Sequence, residues 1–236
     1  MKKIIHRAGS RGHADHGWLN SYHTFSFAGY YDPERMGFGL LRVLNDDVVK
    51  GGMGFGRHPH DNMEIISIPL KGALAHKDST GRSEVINTND VQIMSAGSGI
   101  FHSEMNASST EDVNFLQIWV LPKKRNIEPR YEQKTFDPNA RINQWQVVVS
   151  PDRKDGGVWI NQDAWFLLAT LEAGKSLSYR QHLPANGIYI FVLEGEIKVN
   201  DEILNKRDGL GLNDVEEINL TAGKNTSVLV MEIPMN

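Results

Sequence analysis

Apolar positions in this chain come in short runs, each closed off by turn-forming residues. Ile65-Ile66-Ser67-Ile68, Val91-Gln92-Ile93-Met94, Phe115-Leu116-Gln117-Ile118-Trp119-Val120 and Trp145-Gln146-Val147-Val148-Val149 are rich in β-branched and aromatic residues, and each predicts a strand. Asp78-Ser79-Thr80-Gly81, Asp155-Gly156-Gly157 and Asn200-Asp201 predict the turns between strands. Few stretches carry the apolar period of a surface helix, and Thr110-Glu111-Asp112 predicts a polar loop rather than a helix start. The pattern predicts an all-β protein.

A weak internal repeat divides the chain. Ile68-Pro69-Leu70-Lys71-Gly72, then an alternating run, then Asn89-Asp90, is matched by Phe191-Val192-Leu193-Glu194-Gly195, another alternating run, and Arg207-Asp208-Gly209. Each copy predicts a strand, a glycine turn, a hairpin and a second turn headed by aspartate, so two similar β-barrels are expected in tandem. Phe136-Asp137-Pro138-Asn139 interrupts the strand pattern and places the join near residues 135–143, giving expected units of 1–135 and 136–236.

Composition narrows the chemistry. The 236 residues include 22 glycines and carry a net charge of −4, which argues against nucleic acid or an anionic membrane surface as partner. Lys123-Lys124-Arg125 is the sole basic cluster and predicts a solvated loop. With no cysteine there can be no disulfide, thiolate nucleophile or iron–sulfur cluster, so any metal must be held by His, Asp or Glu. The basic start Met1-Lys2-Lys3 is followed by Ala8-Gly9-Ser10-Arg11 rather than an apolar segment, and no run is long enough to span a bilayer; a cytoplasmic location is expected.

Two short pairs stand out against this background: His58-Pro59-His60 and His102-Ser103-Glu104. Strand side chains repeat on one face every second residue, so both members of each pair can enter one cavity. Three imidazoles and a carboxylate suit a divalent transition metal. Aligning the repeats on Gly72 and Gly195 sets Gln181 and Leu183 opposite His58 and His60. Aligning Asp90 with Asp208 sets Leu220 and Ala222 opposite His102 and Glu104. His182 falls one position out of register, so a metal is expected in the first barrel only. Glu64 has inward strand parity as well, but Glu104 shares a face with His102, which leaves Glu64 a supporting or structural role. His6, His76 and His182 are expected to be structural. His13, His16 and His23 are expected to pack loops, and Phe25, Phe27, Phe55 and Phe101 to fill core.

The spacing Gly52-X5-His58-X-His60-X3-Glu64, with Gly72 beyond, resembles the first cupin motif, and Gly99-X2-His102-X3-Asn106 the latter part of the second. More specifically, the chain resembles the pirin family of bicupins, and within it the bacterial quercetin 2,3-dioxygenase-like members. The resemblance rests on Arg11-Gly12-His13-Ala14-Asp15-His16-Gly17-Trp18, His23-Thr24-Phe25-Ser26-Phe27, Tyr31-Asp32-Pro33 and Leu41 to Asp47. It continues through Gly54-Phe55-Gly56-Arg57-His58-Pro59-His60 and Met94 to Glu104. Gly97 stands where many other cupins have proline.

This resemblance implies two tandem jelly-roll barrels, with one divalent metal held by His58, His60, His102 and Glu104 in the first. Fe(II) is the expected ion; Mn, Cu, Ni, Co and Zn suit the same ligands. It implies oxidative opening of the central ring of a flavonol such as quercetin by O2, releasing carbon monoxide and a phenolic ester, with Glu104 accepting the hydroxyl proton. The family also implies a rival: a redox-dependent regulatory protein that binds a transcription factor or a metabolic enzyme. Gly97-Ser98-Gly99 lacks the spacing of a nucleophile elbow, and Gly37-X-Gly39 and Gly54-X-Gly56 lack the third glycine of a dinucleotide loop.

Overall fold

The computed structural model describes residues 2–236. The first half carries β1 (Lys2–His6), β2 (Gly12–Asp15), β3 (Leu19–His23), β4 (Leu41–Val49), β5 (Gly54–His60) and β6 (Glu64–Lys71). It continues with β7 (Ala73–Asp78), β8 (Ser83–Asn87), β9 (Asp90–Ser95), β10 (Ile100–Asn106), β11 (Val113–Val120) and β12 (Arg130–Thr135). The second half carries β13 (Gln146–Ser150), β14 (Val158–Trp159), β15 (Trp165–Leu171), β16 (Ser176–Arg180) and β17 (Asn186–Glu194). Beyond these run β18 (Glu196–Val199), β19 (Glu202–Asn205), β20 (Gly209–Asn213), β21 (Glu217–Ala222) and β22 (Thr226–Pro234). Short 3-10 turns at Ala8–Ser10, Pro138–Arg141 and Arg153–Asp155 are the helical segments among the described residues, none of them able to cross a membrane.

Each half is a sandwich of a seven-stranded and a four-stranded sheet. The first pairs β12-β9-β6-β11-β4-β3-β2 with β5-β10-β7-β8; the second pairs β1-β20-β17-β22-β15-β13-β14 with β16-β21-β18-β19. The two large sheets pack against each other through Leu44, Ile66, Ile68, Ile93, Leu116 and Ile118 on one side and Phe166, Leu168, Tyr189, Phe191, Leu229 and Met231 on the other. This shared core explains why runs such as Ile65–Ile68 do not alternate cleanly. One face of each strand meets the other barrel while its opposite face fills its own barrel, so both are buried.

The expected division at residue 135 does not capture the first strand. β1 lies in the second barrel, antiparallel to β20 from Lys2↔Asn213 to His6↔Gly209. Its His6 Nδ1 lies 2.8 Å from the hydroxyl of Tyr189, deep in the shared core. The repeat matches at the level of backbone conformation: Gly72 and Gly195 turn with φ of +76° and +88°, and Asn89 and Arg207, each just before an aspartate, with φ of +74° and +67°. The Pro138–Arg141 turn falls where Phe136-Asp137-Pro138-Asn139 predicted a break, and Lys123-Lys124-Arg125 is an exposed loop.

Candidate metal centre

β5 and β10 are neighbours in the small sheet of the first barrel, with His102 directly opposite His58. The ring centroids of His58, His60 and His102 lie 4.4–4.9 Å from one another. One nitrogen from each ring falls within 4.8 Å of the others. Gly54 permits this approach: a Cβ there would sit 2.5 Å from the backbone of Met105 on β10. On the loop before β10, Gly97 holds φ of +50°, and a Cβ would meet the Ile127 carbonyl oxygen at 2.1 Å, so proline's fixed negative φ would not fit.

The strands do not run in simple register. His102 pairs with His58 but Glu104 with Phe55, so β5 holds one more residue than β10 across this stretch. That bulge turns Phe55 to the same side as His58 and His60 although it is three residues from His58. Neither pair-spacing nor strand period announces this.

The protonation chemistry favours ligation. His58 Nδ1 donates to the Gly56 carbonyl at 2.7 Å, which leaves Nε2 with a free lone pair toward the cluster. His102 is 2% exposed, and neither of its ring nitrogens has a hydrogen-bond partner. Burial first, and the neighbouring imidazoles second, lower His102 to about 3 and His60 to about 4. A buried imidazole without partners is costly in an apo barrel and well suited to a metal, which takes the lone pair without a proton to displace. The residues present fit the group that the donor set implies.

Glu104, 2% exposed, accepts from Ser67 Oγ at 2.9 Å and Gln117 Nε2 at 2.6 Å. Its carboxylate groups with His102 and His76 within 4.8 Å. His76 was expected to be merely structural; it stands opposite Glu104 on β7, its Nε2 3.0 Å from the Asp78 carboxylate and its Nδ1 buried without a partner. Glu64 turns elsewhere. It accepts from Ser95 Oγ at 2.8 Å and from the backbone N–H of Asn161 in the second barrel at 3.1 Å, and burial raises its pKa.

A cavity of about 580 Å³ opens beside the cluster. Phe27, Tyr30, Phe55 and Trp119 give it aromatic walls, and Ser21, Asn45, Asp47, Glu104 and Gln117 polar ones. His13, His16 and His23 line it too, so they do more than pack loops. The core reading holds for Phe25, fully buried between the barrels; Phe27 lines the cavity instead, and Phe55 both lines it and packs on the buried cluster of Leu19, Leu74 and Phe115. Phe101 lies outside, 41% exposed, with the Arg57 guanidinium 4.0 Å from its ring centre.

The second barrel is filled instead. Counting outward from the matched glycines through the strand pairings, His102, Glu104, Ser67, Gln117, Asn45 and Asp47 correspond to Ile218, Leu220, Ile190, Val230, Leu167 and Ala169, two residues off the Asp90–Asp208 alignment at the first two positions. All six of these pack in one apolar cluster. His182 lies at its edge, stacked on Trp165 at 4.2 Å, its backbone N–H given to buried Glu232. At these six positions the second barrel is thus filled by hydrocarbon where the first carries a polar group.

The lowered imidazoles have a consequence for stability. His60 and His102 titrate near the ordinary 6.5 when unfolded and far lower when folded, so their neutral forms favour the fold fully above about pH 6.5. That contribution is lost as pH falls from 6.5 toward 4 and 3. Thermal melts of metal-free protein should therefore drop between pH 7 and 4.5 by more in the wild type than in His102→Leu; equal drops would contradict it.

Comparison with known proteins agrees with this architecture. The Pirin family model matches residues 5–120 and the model of the quercetinase C-terminal cupin domain matches residues 147–233. Quercetin 2,3-dioxygenase of Escherichia coli K12 is 44% identical over 234 residues, covering 98% of each chain. A pirin-like protein of Caulobacter vibrioides is 40% identical over 222 residues, covering 94% of this chain and 95% of its own. The crystal structure of the E. coli bacterial pirin YhhW in complex with nickel(II) superposes with a TM-score of 0.93 at 41% identity over 99% of both chains. With its bicupin architecture and end-to-end similarity to these proteins, the chain belongs to the pirin family.

Proposed function

We propose that this protein is a metal-dependent dioxygenase that opens the central ring of a flavonol such as quercetin with O2. The products are a phenolic ester and carbon monoxide, and all atoms of flavonol and O2 are accounted for between them. The observation that carries the reading is a single cavity joining the histidine cluster to aromatic walls. Its volume, about 580 Å³, falls within the roughly 300–1,000 Å³ of sites that enclose a ligand of this size. The quercetin 2,3-dioxygenase name of the E. coli relative supports the same substrate class.

His58, His60, His102 and Glu104 would hold one divalent metal, Fe(II) or another first-row ion; nickel occupies the related E. coli pirin. Such an ion supplies Lewis-acid and redox chemistry toward a hydroxyl and O2. The chain's own groups do the rest. Ser67 and Gln117 fix the Glu104 carboxylate, so a flavonol hydroxyl placed against it finds an oriented proton acceptor. Phe27, Phe55 and Trp119 hold the flat rings and exclude water.

The test is quercetin consumption and carbon monoxide release by protein reconstituted without oxygen with Fe, Mn, Co, Ni or Cu, then exposed to O2. Glu104→Ala is expected to lose metal and to cut turnover more than about 100-fold, while the barrel's circular dichroism is retained. Tight metal binding with no turnover by any metal would reject the enzyme and favour the metal-dependent regulatory role.

A further inference from the structure

Three polar side chains of the cavity take no part in the chemistry above. Ser21 and His23 lie on β3 and Asp47 on β4, and all are buried to 4% exposure or less. Ser21 Oγ donates to Asp47 Oδ1 and lies 2.8 Å from His23 Nε2, making one continuous chain. The far nitrogen of His23, Nδ1, is buried without a partner, and no protein donor among the described residues reaches Asp47 Oδ2. All three residues line the cavity that also holds His58, His60 and Glu104.

Nothing in the fold requires this arrangement. Ala169, the counterpart of Asp47 in the second barrel, sits in hydrocarbon. A buried carboxylate with a single hydroxyl donor is a net cost unless a ligand completes it. Burial pushes Asp47 up to about 7, and the charges of Asp46 and Glu104 add to it.

Register fixes where the chain lies. Gln117, which holds Glu104, pairs with Asn45 on β4, and Asp47 is two residues further along that strand beside Ser21. One strand across and two residues along is roughly 8 Å. That separates Asp47 from Gln117, which holds Glu104, so a hydroxyl at Asp47 would belong to a different part of the ligand from the one beside Glu104.

We propose that Asp47, with Ser21 and His23, is a second ligand-binding point of this cavity, one that selects aromatic substrates carrying a further hydroxyl remote from the metal. The proposal rests on the flavonol reading of the cavity. When Asp47 is ionised the chain runs His23 Nε2–H to Ser21 to Asp47; when Asp47 holds a proton it reverses, with Asp47 donating to Ser21 and Ser21 to His23 Nε2. Either direction keeps the His23–Ser21 and Ser21–Asp47 hydrogen bonds, so Asp47 can accept a ligand's hydroxyl or take its proton without breaking the chain.

The experiment is binding to metal-loaded protein without oxygen, read by quenching of tryptophan fluorescence. The probes are quercetin and 3-hydroxyflavone, which keeps the 3-hydroxyl and lacks the others. Asp47→Asn is expected to weaken quercetin about ten-fold or more, as loss of a charge-assisted hydrogen bond should, and to change 3-hydroxyflavone less than about two-fold. Ser21→Ala, which keeps the carboxylate and strips its donor, should weaken quercetin alone as well and carries the test if Asp47→Asn does not fold. Metal content should match the wild type in both. Equal loss for both probes, or no loss for quercetin, overturns the proposal alone. Wild-type protein that binds neither probe overturns the flavonol reading and the proposal with it.

Discussion

Replacing His102 by leucine is expected to abolish metal-dependent turnover while leaving the metal-free protein as stable as before, or more so. Most core substitutions destabilise, so the sign is informative. His102 is 2% exposed with two unpartnered ring nitrogens, and its counterpart in the second barrel is already aliphatic, Ile218, packed among apolar neighbours. Removing an unsatisfied buried polar group in favour of an apolar one of similar size is neutral or stabilising. The metal-loaded protein should behave oppositely. Loss of a ligand should weaken metal binding by more than about 100-fold, beyond what loss of a supporting hydrogen bond typically costs. The increment that bound metal adds to the melting temperature should then vanish. Paired melts with and without metal, together with metal analysis, read both effects. Full metal occupancy in the variant would remove His102 from the ligand set, and a large loss of metal-free stability would show that the imidazole serves the fold.

This separation of site from scaffold explains which features were legible in the sequence. Period-two spacing pointed to His58, His60, His102 and Glu104, because strand geometry translates that spacing into a shared face; the fold brings the three imidazoles together and sets Glu104 with His102 and His76. The glycine and aspartate turns of the repeat were equally plain, since Gly72 and Gly195 adopt backbone conformations few other residues tolerate. The entry of Phe55 into the cavity was hidden, because it depends on an extra residue in β5 that only the pairing with β10 reveals. Ser21, His23 and Asp47 were hidden for a different reason. Ser21 and His23 do share a strand face, but Asp47 joins them only through the β3–β4 register, and the Asp46-Asp47 pair in Leu41–Val49 resembles a surface turn until both strand faces prove buried. β1 escaped because Lys2–His6 is too short and too charged to show which barrel it joins; its partners lie some two hundred residues away.

Truncating Phe191 to alanine should destabilise the whole chain by about 3–5 kcal/mol, although Phe191 belongs to the barrel without the candidate metal site. Its ring is fully buried on β17, in the core between the two large sheets that also holds Tyr189 and Phe25, across from the strands that carry Asn45, Asp47 and Gln117 on their other faces. Each large sheet buries one face only because the other sheet is there, and β1 ties the chain's start into the far barrel. Neither barrel can lose this core and keep the burial that makes it fold. Denaturant titration of the metal-loaded variant should therefore show one transition, shifted to lower denaturant, with metal released at the same midpoint as β-structure is lost. Two resolved transitions, with metal retained through the first, would show that the metal-binding barrel holds its fold without the partner sheet, and that the shared core joins two domains rather than completing one.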